Sequence, residues 1–374
     1  MSENRNKILK KLISIPSYYP NVAGIKECEQ FIKEFLDQVG IQDARVENVD
    51  GNIIFSLKRK GVEETVAILL HYDTIPPFNP NDPAELALSK DGLNLHGLGV
   101  TSAKAAIASI LTSLERNKKQ IPTKNLKIIF SCDETTGSLN GTQNLVKNYL
   151  EKVFADMYWI PDCTDSYISI GTYHVIPMHI RLEGVGGHPA YQIIPGDKNV
   201  LFATTHLLES VTKDFKHIES LYAEKNLKPI LSITGVKFFQ QPNIIAKDAD
   251  IYLDLRFPPD EMNVHNLVEP LITNIKTNPL FAYLDTDHYH GFLSEFSSDI
   301  VGDFIDTAQG IMGKKIDTKV ELGSHDGAFY GYKLQRPVLG FLPGGKNLHT
   351  KDESLPEGHL DAIEKIFDKF IYGI

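Results

Sequence analysis

Cysteine is scarce in this 374-residue chain, and its placement excludes two common ways of stabilising a fold. The three cysteines, Cys28, Cys132 and Cys163, cannot all pair with one another, and none belongs to a CxxC motif. We therefore expect neither a disulfide framework nor a structural zinc ion held by cysteine thiolates.

Long apolar runs are also absent from the sequence. No segment approaches the roughly 18 uninterrupted apolar residues of a membrane-spanning helix. Residues 2–7 are polar and lead into an amphipathic helix rather than into the apolar centre of a signal peptide. These features predict a cytoplasmic protein without a membrane partner.

Basic residues are fewer than acidic ones, 38 against 48, and the formal net charge is -10. Nonspecific binding to nucleic acid relies on lysine and arginine displacing counterions from phosphates, so this charge argues against a nucleic-acid partner. A small molecule or a short peptide is the expected partner. The sequence also has no fixed-period repeat, low-complexity tract or long linker, so any domain boundary falls at a short connection.

The length and an ordinary composition, 42% hydrophobic and 23% charged, predict two domains. In the first 170 residues, amphipathic helices alternate with short apolar strands. We expect helices over 8–13, 25–39 and 102–114, with Thr101 and Ser102 as the N-cap of the third, and strands over 44–49, 52–57, 65–70, 126–131 and 157–160. This alternation predicts an α/β fold whose large domain has a mostly parallel sheet flanked by helices.

From about Tyr173 the predicted order changes to β-α-β-β-α-β, which is the split ferredoxin-like pattern. Its strands are expected over 176–182, 229–236, 250–257 and 281–285, and its helices over 199–212 and 264–276. A further helix, a strand over 335–341 and a closing helix over 359–372 would return to the first domain. We therefore expect a large domain of residues 1–174 and 292–374, interrupted by an inserted α+β domain of residues 175–291.

Polar side chains follow several of the predicted strands directly. His71 and Asp73 are two residues apart at the end of one strand, so their side chains project from the same face. A metal-binding imidazole usually has a carboxylate or carbonyl on its other ring nitrogen, so Asp73 could orient His71. Asp133, Glu134 and Asp162 follow two other strands, and ligands of α/β sheets gather at such strand ends.

In these motifs the chain resembles the zinc-dependent amidohydrolase and exopeptidase family of aminoacylases, acetylornithine deacetylase, succinyl-diaminopimelate desuccinylase and carboxypeptidase G. The matching motifs keep their order along nearly the whole chain, from 71–76, Gly97-Leu98-Gly99 with Lys104, and Asp133-Glu134 with Gly137-Ser138, to Asp162, Gly187-His188-Pro189, Asn243, Asp254-Leu255-Arg256, and Pro343-Gly344-Gly345 leading to His349. The resemblance implies a zinc-exopeptidase-like large domain and a small lid domain that forms a homodimer.

The resemblance also implies a two-zinc centre, for which this chain lacks two carboxylates. Ser102 stands where the family has the aspartate that bridges the metals, and Thr135 where it has a glutamate ligand. The implied ligands that remain are His71, Asp162 and His349, with Asp165 as an alternative to Asp162. Because zinc sites usually hold three or four protein ligands, this set argues against a dinuclear centre. It is consistent with one weakly bound Zn²⁺, Co²⁺ or Mn²⁺.

By the same resemblance, Glu134 is the general base and His188 stabilises the oxyanion in a neighbouring subunit's site. The alternative for Glu134 is a cap of the following turn, and for His188 a surface turn histidine. Asn243 and Arg256 correspond to residues that contact a substrate carboxylate or backbone, or else form an interdomain salt link. His325 and Asp326 stand where the family often has Ser-Asp near the site.

Three functions fit these residues. The first is a deacylase-like amide hydrolase acting on an N-acyl amino acid or short peptide, with Glu134 as base and a mononuclear or absent metal. The second is a metal-independent acyl-transfer or condensing enzyme, in which Glu134 and His188 handle protons while Ser102 and Thr135 contact substrate. The third is a non-catalytic homologue that binds a ligand or partner. Of these, the lost carboxylates are explained most directly by the third.

Overall fold

The computed structural model describes residues 2–79, 82–163, 167–191, 193–238, 241, 243–260, 262–295 and 298–374. The helices it shows are α1 (Ser2–Ser14), α2 (Val22–Val39), α3 (Lys104–Arg116), α4 (Thr142–Asn148), α5 (Leu150–Val153), α6 (Val200–Leu221), α7 (Val264–Lys276), α8 (Asp299–Met312), α9 (Gly327–Leu334) and α10 (Glu357–Phe367).

The strands are β1 (Ala44–Val49), β2 (Asn52–Leu57), β3 (Thr65–His71), β4 (Ser89–Asp91), β5 (Asn94–His96), β6 (Asn125–Ser131), β7 (Met157–Cys163), β8 (Ile168–Thr172), β9 (His174–Glu183), β10 (Ile230–Phe238), β11 (Asp248–Phe257), β12 (Phe281–Thr286), β13 (Phe292–Leu293), β14 (Thr318–Glu321), β15 (Val338–Leu342) and β16 (Ser354–Pro356). Among the residues that the structure describes, no helix has both the length and the apolar character of a membrane span.

The chain divides into two compact units. The large unit comprises Met1–Gly171, Ser294–Val320 and His325–Ile374, and the small unit comprises Thr172–Leu293 and Glu321–Ser324. The sequence placed the domain changes at 174/175 and 291/292, within three residues of these positions. It did not assign Glu321–Ser324 to the small unit. There the carbonyl of Glu321 accepts a hydrogen bond from the backbone N–H of Tyr173 at 2.9 Å.

The main sheet of the large unit has the strand order β1-β2-β6-β3-β7-β15-β8. Its four central strands, β6, β3, β7 and β15, are parallel, and the strands on either side of them are antiparallel. Helix α3 is buried from Lys104 to Leu114 because α1 and α10 pack against it, and its alanines permit close approach. The α/β class and the parallel centre are as predicted.

The small unit is an antiparallel sheet with two helices. Its elements follow the order β9-α6-β10-β11-α7-β12, and the sheet order is β10-β11-β9-β12. Buried and half-buried residues alternate along β11 because one face of the sheet packs on the core that α6 and α7 complete. This is the ferredoxin-like arrangement that the sequence pattern predicts.

Two predicted element boundaries near the candidate site are wrong. Thr101 and Ser102 do not cap α3; Ala103 precedes the helix and makes no side-chain cap bond. Strand β7 does not stop before Asp162 but continues to Cys163, with a register shift against β15 between Gly340 and Leu342. The shift lies opposite Pro161, which has no N–H for a ladder and is tolerated at such irregularities.

Other differences concern short elements. The closing helix over 359–372 is α10 followed by a π-helical turn over Asp368–Tyr372. Residue Gln335 ends α9 in the left-handed conformation instead of starting a strand. The small antiparallel sheet of β4, β5 and β16 was not predicted from the sequence. It fixes the segment just before β16 beside the loop that follows β5.

Candidate active site at the ends of the parallel strands

Parallel strands β3 and β6 bring the first candidate residues together. His71 at the end of β3 is paired in register with Ser131 at the end of β6, and the N–H of Tyr72 donates to the carbonyl of Ser131 at 3.0 Å. The segments that leave the two strands therefore begin side by side. One carries Asp73, and the other carries Glu134.

His71 is oriented by the residue two positions along. Its Nδ1 lies 3.1 Å from the backbone oxygen of Asp73 and 3.3 Å from Asp73 Oδ1. Both residues are buried, and Asp73 is fully so. With Nδ1 engaged, the Nε2 atom is the ring nitrogen that remains to bind a metal ion or a substrate.

The Asp73 carboxylate also holds the turn that contains Glu134. Its Oδ1 accepts the N–H of Glu134 at 3.1 Å, and its Oδ2 accepts the N–H and the hydroxyl of Thr135 at 2.9 and 2.6 Å. Burial raises the pKa of Asp73, but the hydrogen bonds from His71 and Thr135 outweigh this and hold it below its usual value. An ionised Asp73 thus fixes the turn over Glu134–Thr136 against His71.

Glu134 is half-buried among negative charges. Burial raises its pKa, the positive charge of His71 lowers it, and the carboxylates of Asp326 and Asp162 raise it further, with a net increase. Burial lowers the pKa of His71, but the charge of Glu134 and the hydrogen bond with Asp73 raise it by more. The pKa of His71 therefore lies above its usual value. A carboxyl group with a raised pKa beside a histidine is the environment that suits proton transfer near neutral pH.

Asp133 has a structural part in the same turn. Its carboxylate accepts the N–H groups of Asn140 and Gly141, each at 2.8 Å, and the side chain is buried. Gly141 is required here because a Cβ atom would lie 2.4 Å from Asp133 Oδ1. Asp133 therefore fixes the connection to α4, while Glu134 is left for chemistry.

Ser102 and Thr135, the two hydroxyl residues in the places of expected carboxylates, differ in their surroundings. Ser102 is buried in the turn before α3. The hydroxyl of Thr135 is committed as a donor to Asp73. Neither side chain supplies the negative charge that a second metal ion would need.

Two acidic residues support the site, and the first of them was not predicted from the sequence. Buried Glu353 accepts the N–H of Gly99 and the N–H of Thr101, each at 2.8 Å, and also the Thr101 hydroxyl. Gly99 has a φ of +83°, and a Cβ atom there would lie 2.8 Å from Thr74. An acidic residue four positions after His349, in a stretch rich in charge, gave no periodic signal that it would be buried.

Asp326 is the second supporting acid. Its carboxylate accepts the hydroxyl of Ser131 at 2.6 Å and the hydroxyl of Ser138, so it joins the end of β6 to the turn after Glu134. Neighbouring His325 is buried, and its Nδ1 accepts the N–H of Gly327 at 3.1 Å. Burial lowers the pKa of His325.

Of the remaining predicted metal ligands, one lies near His71 and another is exposed. Asp162 is half-buried near the end of β7, and its charge contributes to the raised pKa values of both His71 and Glu134. His349 is exposed and has a φ of +59°. In the described parts of the chain, His71, Asp162 and His349 do not form a group whose ligand atoms all lie within 4.8 Å of one another. The alternative ligand Asp165 lies outside the described residues.

The other three candidates belong to the small unit. His188 is exposed, its Nδ1 accepts the N–H of Ala190 at 3.2 Å, and Asn243 is exposed with a φ of +62°. Arg256 forms an ion pair with Asp254, from Nε to Oδ1 at 2.7 Å, and donates to the carbonyl of Leu322 at 2.7 Å. The salt link of Arg256 is thus formed inside the small unit.

The large unit with its mostly parallel sheet and the inserted ferredoxin-like unit have the zinc-exopeptidase-like architecture that the sequence predicts. A family model described as Peptidase family M20/M25/M40 matches residues 67–373. The chain therefore belongs to this peptidase family, which confirms the resemblance seen in its motifs.

Curated relatives share low identity over most of the chain. A putative succinyl-diaminopimelate desuccinylase of Mycobacterium tuberculosis is 22% identical over 334 residues, covering 87% of each chain. The succinyl-diaminopimelate desuccinylase of Hahella chejuensis is 22% identical over 377 residues, covering 96% of this chain and 94% of the relative.

Solved structures agree in fold. An M20 family metallo-carboxypeptidase from Sulfolobus solfataricus superposes with a TM-score of 0.79 at 17% identity, covering 98% of each chain. A tripeptidase from Staphylococcus aureus superposes with a TM-score of 0.78 at 17% identity, covering 100% of this chain and 98% of the other. The Bacillus subtilis YXEP protein is described as a dinuclear metal-binding peptidase of the M20 family. It superposes with a TM-score of 0.66 at 15% identity, covering 99% of this chain and 97% of the other.

Proposed function

We propose that this protein hydrolyses the amide bond of an N-acyl amino acid or a short peptide, with Glu134 as the general base. The observation that carries the proposal is the contact set around Asp73, which fixes Glu134 and His71 against each other at neighbouring strand ends. The relatives' descriptions as desuccinylases and peptidases support the substrate class, because both act on amide bonds.

The side chains do not fit a dinuclear metal centre of the kind named for the B. subtilis protein. Ser102 and Thr135 are neutral, and the Thr135 hydroxyl faces Asp73 as a donor. A single ion fits better. It would be held by His71 Nε2 and Asp162, and His349 is the third ligand that the family resemblance implies. Such an ion would supply a Lewis acid that lowers the pKa of a bound water.

In the proposed reaction, Glu134 accepts a proton from the attacking water while the oxygen of that water bonds to the amide carbon. The same proton then passes to the departing amine nitrogen as the C–N bond breaks, leaving a carboxylic acid and a free amine. Deprotonated Glu134 is the active form, and Asp73 holds its backbone in place throughout.

The remaining assignments follow the family resemblance. We propose a homodimer formed through the small unit, in which His188 donates a hydrogen bond to the developing oxyanion in the neighbouring subunit. Asn243 and Arg256 would bind the substrate's carboxylate or backbone. In the metal-independent alternative, Ser102 and Thr135 would contact substrate as neutral hydrogen-bonding groups.

The test compares Glu134→Gln with Glu151→Gln, since Glu151 is an exposed glutamate on the surface. N-succinyl and N-acetyl amino acids, dipeptides and tripeptides are assayed with the metal-stripped protein and with Zn²⁺, Co²⁺ or Mn²⁺ added. Loss of a general base is expected to lower turnover by about 10²- to 10⁴-fold in Glu134→Gln alone. Equal turnover in the two variants would overturn the proposal.

Two other outcomes separate the alternatives. Acyl transfer to an amine that persists in metal-stripped protein, with little hydrolysis, would support a metal-independent acyl-transfer or condensing enzyme. Binding of these compounds without turnover under any metal condition would support a non-catalytic homologue, which the neutral Ser102 and Thr135 favour.

A further inference from the structure

We propose that His174, His288 and His290 form a binding site for a divalent transition-metal ion, with Zn²⁺ as the best match, inside the small unit. In the described residues this is the one group of three or more histidine, cysteine or acidic side chains whose ligand atoms all lie within 4.8 Å of one another. It shares no residue with the candidate active site, and it stands independently of the proposed amide hydrolysis.

The backbone brings the three imidazoles to one face. Val175 and Tyr289 form an antiparallel bridge, with N–H to carbonyl hydrogen bonds of 2.9 Å in both directions. His288 and His290 flank Tyr289, so their side chains leave the backbone on the same side. His174 precedes Val175, and in this antiparallel pairing it lies opposite His290. Its side chain therefore projects to the same side as those of His288 and His290.

A glycine allows the two segments to meet this closely. A Cβ atom on Gly291 would lie 2.5 Å from the carbonyl oxygen of Thr172 and 2.6 Å from the backbone nitrogen of His174. Any larger residue after His290 would push the segments apart. The close approach that assembles the histidines therefore depends on Gly291.

The distances are those of a site that needs little adjustment. His174 Nδ1 and His288 Nε2 lie 3.1 Å apart, and the ring centroids of His288 and His290 lie 4.1 Å apart. Neighbouring nitrogen ligands of a tetrahedral zinc ion are about 3.3 Å apart, given Zn–N bonds of about 2.05 Å. The hydrogen-bonded pair of His174 and His288 already has about this spacing. Since all the ligand atoms lie within 4.8 Å of one another, the widest pair would have to approach by about 1.5 Å at most.

The donor set suits a transition-metal ion. The three imidazoles have their ring nitrogens close together, and an imidazole binds a metal ion through a ring nitrogen that carries no proton. Three imidazoles favour Zn²⁺, Ni²⁺ or Cu²⁺ over Mg²⁺ or Ca²⁺, which prefer oxygen ligands. The exposed side chain of His288 gives the ion access from solvent.

The position of the site along the chain gives it a structural role. His174 lies three residues after the end of the first large-unit segment at Gly171, and His290 lies four residues before the large unit resumes at Ser294. A bound ion would therefore join the first and last segments of the inserted unit. We expect it to stabilise the small unit against unfolding, since a ligand that binds only the folded state stabilises that state.

The experiment measures zinc bound to the full-length chain by equilibrium dialysis and elemental analysis after removal of metal with a chelator. His288→Gln is the main variant because its exposed side chain can be replaced without disturbing the core. His206→Gln, an exposed histidine on α6, is the matched control. Loss of an outer-shell partner alone typically costs about 10- to 100-fold in affinity, so loss of a ligand is expected to cost at least about 100-fold.

We expect the wild type and His206→Gln to bind one zinc ion per chain with micromolar or better affinity through this site, and to unfold at a higher temperature when zinc is present. His288→Gln should lose both effects, while His71→Ala should keep them, which separates this site from the strand-end residues. Equal zinc binding in His288→Gln and His206→Gln would overturn the proposal. Binding only at millimolar zinc would do the same.

Discussion

The hydroxyl of Thr135 donates a 2.6 Å hydrogen bond to the carboxylate of Asp73, the residue that also orients His71. At this position a glutamate would place a second negative charge against Asp73, where threonine instead supplies a donor. The neutral residue is therefore integrated into the site: it helps to keep Asp73 ionised and to hold the turn that carries Glu134.

Removal of this hydroxyl should loosen the turn. Because the bond joins a neutral donor to a buried carboxylate at a half-exposed position, Thr135→Val should lower the free energy of unfolding by about 1 to 2 kcal/mol. Thr135→Ser keeps the hydroxyl and should be close to wild type. Urea denaturation checks both, with exposed Thr136→Val as the control; equal losses at positions 135 and 136 would contradict this role.

Restoring the missing carboxylates should restore metal binding. Ser102→Asp together with Thr135→Glu adds two anionic ligands beside His71 and Asp162, and zinc affinity should rise by orders of magnitude. Calorimetric titration measures the gain. Ser102→Asp with Thr136→Glu adds the same charge one residue away and serves as the control. An unchanged affinity in the first pair would show that these loops do not face His71.

Glu353 should prove important for stability. Its buried carboxylate accepts N–H groups from both Gly99 and Thr101, and an amide in Glu353→Gln would place a donor against one of them. We expect a loss of about 1 to 3 kcal/mol in unfolding free energy. Asp352→Asn, at an exposed neighbour, should change it little. Thermal or urea unfolding distinguishes the two variants. Equal unfolding free energies for Glu353→Gln and Asp352→Asn would refute the stabilising role of Glu353.

The proposed dimer makes a prediction about mixed subunits. If His188 acts in the neighbouring subunit's site, Glu134→Gln and His188→Ala should each be inactive alone. Random exchange of their subunits would give hybrid dimers with one intact site, and about a quarter of wild-type activity should return. Recovery is measured after mixing at a concentration that permits exchange. Absence of recovery, with exchange verified by labelled subunits, would contradict the assignment of His188.

The fold was predictable because its signals are local and repeated. The apolar strands that carry His71 and Ser131 are bounded by polar residues, and the β-α-β-β-α-β order of the small unit follows from periodicity alone. The short strand β16 was not predictable, since three residues carry no period. The N-cap assigned to Thr101 failed because Glu353, more than 250 positions later, takes its N–H and hydroxyl.

The residues of the candidate site were easier to predict from the sequence than the contacts between them. A His-x-Asp at a strand end indicates that Asp73 lies near His71, but the sequence cannot show that the same carboxylate holds the turn of Glu134. The histidines of the small unit were missed for a related reason. His174 and His288 are 114 positions apart in the chain, and only the bridge between Val175 and Tyr289 brings them together.

The most direct test of the account is the number of tightly bound zinc ions at the strand ends, measured together with amide hydrolysis. The measurement uses the His288→Gln variant, so that zinc at the small unit does not contribute. We predict at most one zinc ion per chain, weakly held and dependent on His71, with hydrolysis that is lost in Glu134→Gln. Two tightly bound zinc ions that persist through dialysis would contradict the account, as would hydrolysis that does not depend on Glu134.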